Sequence, residues 1–170
     1  MRELSDFIPT YRDFPKKGIF FKDVLELVQE PEIFRELILK MSSNRIIRDC
    51  QAIISVDARG FIFGSAIALQ TSKPMIFARK AGKLPGEVIN QTYDLEYGKN
   101  TLSIQKKALN KYNSYSIVDD LIATGGTAKS VANILKKENK KLTGLLTVVD
   151  LKEFSNKNRL DFPVDSMIMM

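Results

Sequence analysis

An α/β fold with a largely parallel sheet is predicted by three features of this sequence. Short apolar runs alternate with amphipathic stretches, the pattern left by strands that are buried on both faces and separated by helices. The length, 170 residues, suits one domain and leaves no room for two full ones. The composition, 44% apolar and 27% charged, is that of a globular chain able to bury a real core.

The elements follow in order. Residues 31–41 place Ile33, Phe34, Leu37, Ile38 and Met41 on one helical face, with Pro31 suited to the first turn. Residues 52–56 read as a buried strand, followed by a turn at Arg59-Gly60 and an apolar helix over about 61–70. Residues 74–78 and 114–118 are further strands, 127–137 a helix, 142–149 a strand, and 166–170 a final strand. Between about 79 and 100 the pattern breaks, with Gly82, Pro85, Gly86 and Gly98 punctuating a polar stretch. A segment of that length is expected to be a functional loop, a lid.

Composition excludes several chemistries. There is no histidine, which removes Ser-His-Asp and Cys-His nucleophile systems, His-ligated zinc and the commonest neutral-pH base. Cys50 is the one cysteine, so no intrachain disulfide can form, and its apolar surroundings suit a buried, inert thiol. No apolar run approaches the roughly 18 residues of a membrane helix, and the first residues carry no signal-peptide core. A cytoplasmic protein with no membrane partner is expected. The net charge of +6 is spread so that Lys136, Lys137, Lys140 and Lys141 suit the end of a helix, not a polynucleotide. Arg79, Lys80 and Lys83 lie in the broken segment, where they suit a small anion. No nucleic-acid partner is expected.

The chemistry is concentrated in residues 115–127, YSIVDDLIATGGT. An apolar strand ends in Asp119 and Asp120, and a loop of Ala123, Thr124, Gly125, Gly126 and Thr127 then opens a helix. The glycines let backbone amides turn inward, the helix N-terminus adds positive potential, and Thr124 and Thr127 supply hydroxyl donors. A phosphomonoester fits this cradle. The two acids would repel it, so they are expected to face sugar hydroxyls or a hydrated metal. Dinucleotide-binding and P-loop glycine patterns are both missing.

Val118-Asp119-Asp120 through Thr127 resembles the phosphoribosyl-diphosphate (PRPP) signature of type I phosphoribosyltransferases. Residues 14–23 (FPKKGIFFKD), 57–64 (DARGFIFG), 79–86 (RKAGKLPG) and 93–98 (YDLEYG) resemble the adenine-using branch of that family, and the likeness runs from about residue 11 to the end. The resemblance implies a single type I phosphoribosyltransferase-like domain over 1–170. A small N-terminal hood would occupy about 1–30 and a flexible lid loop about 79–100. It implies purine salvage, in which adenine and PRPP give AMP and diphosphate with Mg²⁺ held mainly through PRPP, and it implies a homodimer.

Residue roles follow from the same resemblance. Ala123 to Thr127 would bind the phosphate of PRPP or AMP, and Arg59, Gly60, Arg79, Lys80, Lys83 and Tyr97 the diphosphate. Phe20, Phe21 and Lys22 would form the adenine pocket, where relatives commonly carry Arg in place of Lys22. Glu96 falls at the family's general acid or base, and it joins Arg59, Asp119 and Asp120 as the catalytic set. Relatives that use hypoxanthine or guanine carry an acid where this chain has Ala123, which favours adenine, because alanine transfers no proton. Asp57 stands where many members have Glu.

Overall fold

The structure is a computed structural model that describes residues 3–95, 98–151 and 160–170. Strand β3 (Ala52–Val56) is buried at all five positions, so helices must cover it on both sides. Its side chains alternate between two cores. Ile53 packs with Leu37, Ile47, Phe63 and Ile67 on one face, and Ile54 with Val131, Ile134 and Leu135 on the other. The first face is roofed by α2 (Pro31–Ser43), α3 (Arg45–Arg48) and α4 (Gly60–Thr71), and the second by α6 (Gly126–Lys137).

Among the described residues, seven strands form the main sheet. β4 (Met75–Lys80) and β7 (Ser114–Ile122) flank β3 in parallel, and β8 (Lys141–Asp150) and β9 (Val164–Met169) continue in parallel beyond β7. On the other side β6 (Gly98–Gln105) pairs antiparallel with β4, and β5 (Val88–Leu95) closes that edge. A four-residue helix α5 (Lys106–Leu109) links β6 to β7. The predicted α/β class and mostly parallel sheet are what the chain adopts.

N-terminal to α2, a short antiparallel pair, β1 (Thr10–Arg12) and β2 (Phe20–Lys22), stands apart from the main sheet. The Phe14 and Phe21 rings meet edge to face at 5.1 Å, and Tyr11 donates to Glu26 Oε1 in α1 (Glu26–Gln29) at 2.9 Å. Cys50 is buried and its thiol donates to Ile47 O at 3.2 Å.

The loop expected over 79–100 is corrected. Arg79 and Lys80 belong to β4, and from Val88 the chain forms a hairpin paired in continuous register from Val88↔Gln105 to Leu95↔Gly98. Gly82, Pro85 and Gly86 fall in the connection before it, where Gly82 and Gly86 take positive φ. Cross-strand pairing satisfies the backbone, so polar side chains on this edge hairpin can stay in water. β7 is also longer than predicted: Leu121 pairs with Val149 and Ile122 with Asp150, which puts both acids inside the strand.

Candidate active site

Ligands of open α/β sheets collect at the carboxyl ends of the strands, and β3 and β7 end side by side here. β3 leads through Asp57, Ala58 and Arg59 into α4, and the Asp57–Ala58 peptide is cis. β7 leads through Ala123, Thr124 and Gly125 into α6, with Gly125 at φ +76° as the N-cap. A side chain at Gly125 would be strained by that φ and would press on Leu160 at 3.2 Å. These two turns wall a cavity of about 390 Å³ that also takes in Lys80, Tyr93, Asp119 and Asp120.

The first N–H groups of α6 have no acceptor within the helix, and they border this cavity beside the Thr124 and Thr127 hydroxyls. Ala128, Val131, Ile134 and Leu135 anchor the helix to the sheet, and Ser130 donates to Gly126 O at 2.9 Å. The cradle is therefore fixed by the packing of α6 on the sheet.

The two acids differ. Asp119 Oδ1 accepts from the Asp120 backbone N–H at 2.9 Å. Burial pushes the Asp119 carboxyl well above the ordinary carboxylate range, and the neighbouring Asp120 pushes it further, against an opposing pull from Arg59. Asp120, with 7% of its side chain exposed, has Arg59 Nε at 2.8 Å from Oδ2. That contact is ionic without hydrogen-bond alignment, so Oδ2 is a buried acceptor with no hydrogen-bond donor among the described residues.

Arg59 faces two ways. Its guanidinium carbon lies 5.4 Å from the Phe21 ring centroid, and the residue also lines a second cavity of about 480 Å³. Phe20, Phe21 and Lys22 line that second cavity together with Leu121, Leu151 and Met170. The walls are mostly apolar and suit a flat, weakly polar ring.

The whole chain is covered by known proteins. Residues 23–166 match the phosphoribosyl transferase domain family. Adenine phosphoribosyltransferase of Prochlorococcus marinus strain AS9601 is 62% identical over 170 residues, which is all of both chains. The Mycoplasmopsis synoviae enzyme of the same name is 39% identical over 98% of each. The solved adenine phosphoribosyltransferase of Thermoanaerobacter pseudethanolicus superposes with a TM-score of 0.91 at 32% identity, covering 98% of each chain. That of Saccharomyces cerevisiae, complexed with adenine and D-2,5-dideoxy-2,5-imino-altritol 1,6-bisphosphate, gives 0.87 at 32% identity over 97% of this chain and 96% of its own.

The chain belongs to the adenine phosphoribosyltransferases.

Most of the residues singled out in the sequence meet at the two cavities of this phosphoribosyltransferase. Arg59, Lys80, Asp119, Asp120 and Ala123 to Thr127 line the first, and Phe20, Phe21 and Lys22 the second. Lys22 Nζ donates to Thr10 Oγ1 at 2.6 Å, which ties one of its three N–H donors to the neighbouring strand. Arg79 and Lys83 line neither cavity. Arg79 Nε donates to Asp57 Oδ2 at 3.0 Å and Nη1 to Lys83 O at 3.3 Å, while the Lys83 side chain is exposed. Gly60 has an internal reason to be glycine: a Cβ there would stand 2.9 Å from Asp119 Oδ1 and 3.1 Å from Val118 O. Glu96 and Tyr97 lie outside the described residues. Sequence reasoning missed Tyr93, although it opens the YDLEYG segment and its alternation with Ile89 and Gln91 marks a strand.

Proposed function

We propose that the two cavities divide one reaction, with phosphoribose in the first, purine in the second and Arg59 as their common wall. The chain is an enzyme of purine salvage: it transfers the 5-phosphoribosyl group from PRPP to adenine, giving AMP and diphosphate. The shared Arg59 is the observation that carries the division of labour.

In this reading Ala123 to Thr127 take the 5-phosphate, and the Asp119 and Asp120 carboxylates accept from the ribose hydroxyls. The buried, unbonded Asp120 Oδ2 supports that role. The bond from the anomeric carbon to the diphosphate oxygen breaks as adenine N9 attacks, so positive charge collects on the ribose ring and negative charge on the leaving group. Arg59 leaves Asp120 for the diphosphate, where Lys80 joins it and Gly60 gives the backbone a close approach. Arg79 acts through Asp57 and holds the turn that carries Arg59; Lys83 and Tyr97 come from the neighbouring segments. Glu96 takes the proton that N9 gives up. Adenine is held against Phe20 and Phe21, with backbone groups near Lys22 reading its amino and ring nitrogens.

The described residues hold no cluster of three or more carboxylate, thiol or imidazole groups that could cage a cation. One or two carboxylates beside a ligand rich in phosphate oxygens is a donor set that fits Mg²⁺ brought in on PRPP. Bound there, Mg²⁺ would supply positive charge to offset that of the leaving diphosphate. Pairing of two copies is supported by large apolar side chains left exposed, Leu69 on α4 at 86% and Phe77 on β4 at 44%. A cytoplasmic setting fits the single buried thiol.

The test is AMP formation from PRPP and Mg²⁺ with adenine, hypoxanthine or guanine supplied separately. Turnover of adenine alone is expected. Nucleotide formed from a 6-oxopurine at a similar rate would overturn the reading of Ala123 and of the purine cavity.

A further inference from the structure

We infer that Tyr93, on the hairpin strand β5, is a phosphate-binding residue: its hydroxyl and that of Thr127 donate together to one oxygen of the ligand's 5-phosphate. The inference rests on the phosphate site proposed above.

Four observations carry it. Tyr93 lines the first cavity together with Thr127, although the two are 34 residues apart in sequence. Its ring lies over the start of α6, with Cδ2 3.7 Å and Cε2 3.9 Å from where a Gly126 Cβ would stand. Its hydroxyl and Thr127 Oγ1 are 3.5 Å apart. The neighbouring Gln91 is tied to the same helix, its Oε1 accepting from Lys137 Nζ at 2.8 Å.

The 3.5 Å spacing decides the chemistry. Hydrogen-bonded hydroxyls stand about 2.5–3.0 Å apart, so neither of these two is committed to the other. An anionic oxygen seated between them can stand about 2.7 Å from both and accept from each, and such charge-assisted bonds are the strong ones. The helix N-terminus favours negative charge at the same place. The ring is partly buried against the apolar core below α6, which fixes where the hydroxyl points.

Position gives this contact a second consequence. Tyr93 precedes Glu96 by three residues on the same segment. A phosphate held by Tyr93 therefore pins the end of β5 (Val88–Leu95) against the start of α6.

The test compares AMP, adenosine and adenine as ligands of wild type and Tyr93→Phe by calorimetric titration. The substitution removes one oxygen and leaves the ring over Gly126. AMP binding is expected to weaken about tenfold, as for loss of one charge-assisted hydrogen bond, while adenosine and adenine bind as before. Unchanged AMP binding would overturn the assignment, and so would equal weakening of AMP and adenosine, which marks a structural effect. If wild type binds AMP no better than adenosine, the phosphate site itself falls and this assignment falls with it. Thr127→Val adds an independent readout. Two donors on one oxygen give losses that are not additive in the double variant, and additive losses contradict the shared contact.

Discussion

Gly60→Ala places one methyl group where two chain segments already touch. Its Cβ would stand 2.9 Å from Asp119 Oδ1, 3.1 Å from Val118 O and 3.2 Å from Asp119 Cα. Two of these three atoms are backbone of the buried strand β7 and cannot give way cheaply. The third already accepts from the Asp120 N–H, so displacing it loosens that bond as well. Overpacking of this kind costs about 1–3 kcal/mol. Alanine's better helix propensity returns at most ~1 kcal/mol, and less in a first turn, so the clash wins. A net loss of about 1–2 kcal/mol in a chain this size lowers Tm by about 2–8 °C. Reaching an ordinary contact near 3.4 Å from 2.9 Å moves the Asp119 carboxyl by ~0.5 Å, which costs about tenfold in rate where a 1 Å error costs about a hundredfold. Thermal melts and steady-state turnover of Gly60→Ala read both effects. Ser65→Ala on the same helix is the control, since Ser65 is exposed and donates only to carbonyls of its own helix. A Gly60→Ala protein with the wild-type Tm and rate would refute the packing argument. A lowered Tm with full activity would show that the Asp119 position does not matter to turnover.

Asp119→Asn is expected to abolish turnover while the protein stays folded. Its pH dependence has a definite sign: the folded protein raises the Asp119 pKa above the ordinary 3.8, so wild type loses stability as pH climbs from there through the raised value. The asparagine oxygen can keep the Asp120 N–H bond. The Tm of the variant should therefore match wild type at acid pH and exceed it at neutral pH, and a gap that shrinks as pH rises would contradict the assignment. Arg59→Lys keeps the charge but loses the planar face over Phe21, and kcat/KM should fall at least tenfold; a wild-type value would remove Arg59 from the joint wall. Glu96→Gln should lower kcat far more than it weakens adenine binding, and an unchanged kcat would remove Glu96 from the catalytic set.

Much of this was legible in the residues, for physical reasons that differ by element. Ala52–Val56 was read to the residue because four apolar side chains in a run of five, with Ser55 equally buried among them, mark a strand inside the sheet. The phosphate loop was legible because the Thr-Gly-Gly-Thr run is local: donors, helix start and glycine φ lie within a few residues. The last four residues of β7 were not, because two aspartates interrupt the apolar pattern while pairing with β8 holds the strand extended. The hairpin over β5 and β6 was read as a loop for the same reason: its stabilisation comes from a partner strand. Pairings such as Arg59 with Asp120 and Arg79 with Asp57 are set by which strand ends lie side by side, which no local pattern encodes.

The most direct test of two cavities joined at Arg59 is the crystal structure of this protein with AMP bound. The account predicts the 5-phosphate within hydrogen-bond reach of Thr124 to Thr127, the ribose hydroxyls at Asp119 and Asp120, and the purine against Phe21. A purine seated outside the cavity that Phe21 lines, or a phosphate outside the loop that opens α6, would contradict it.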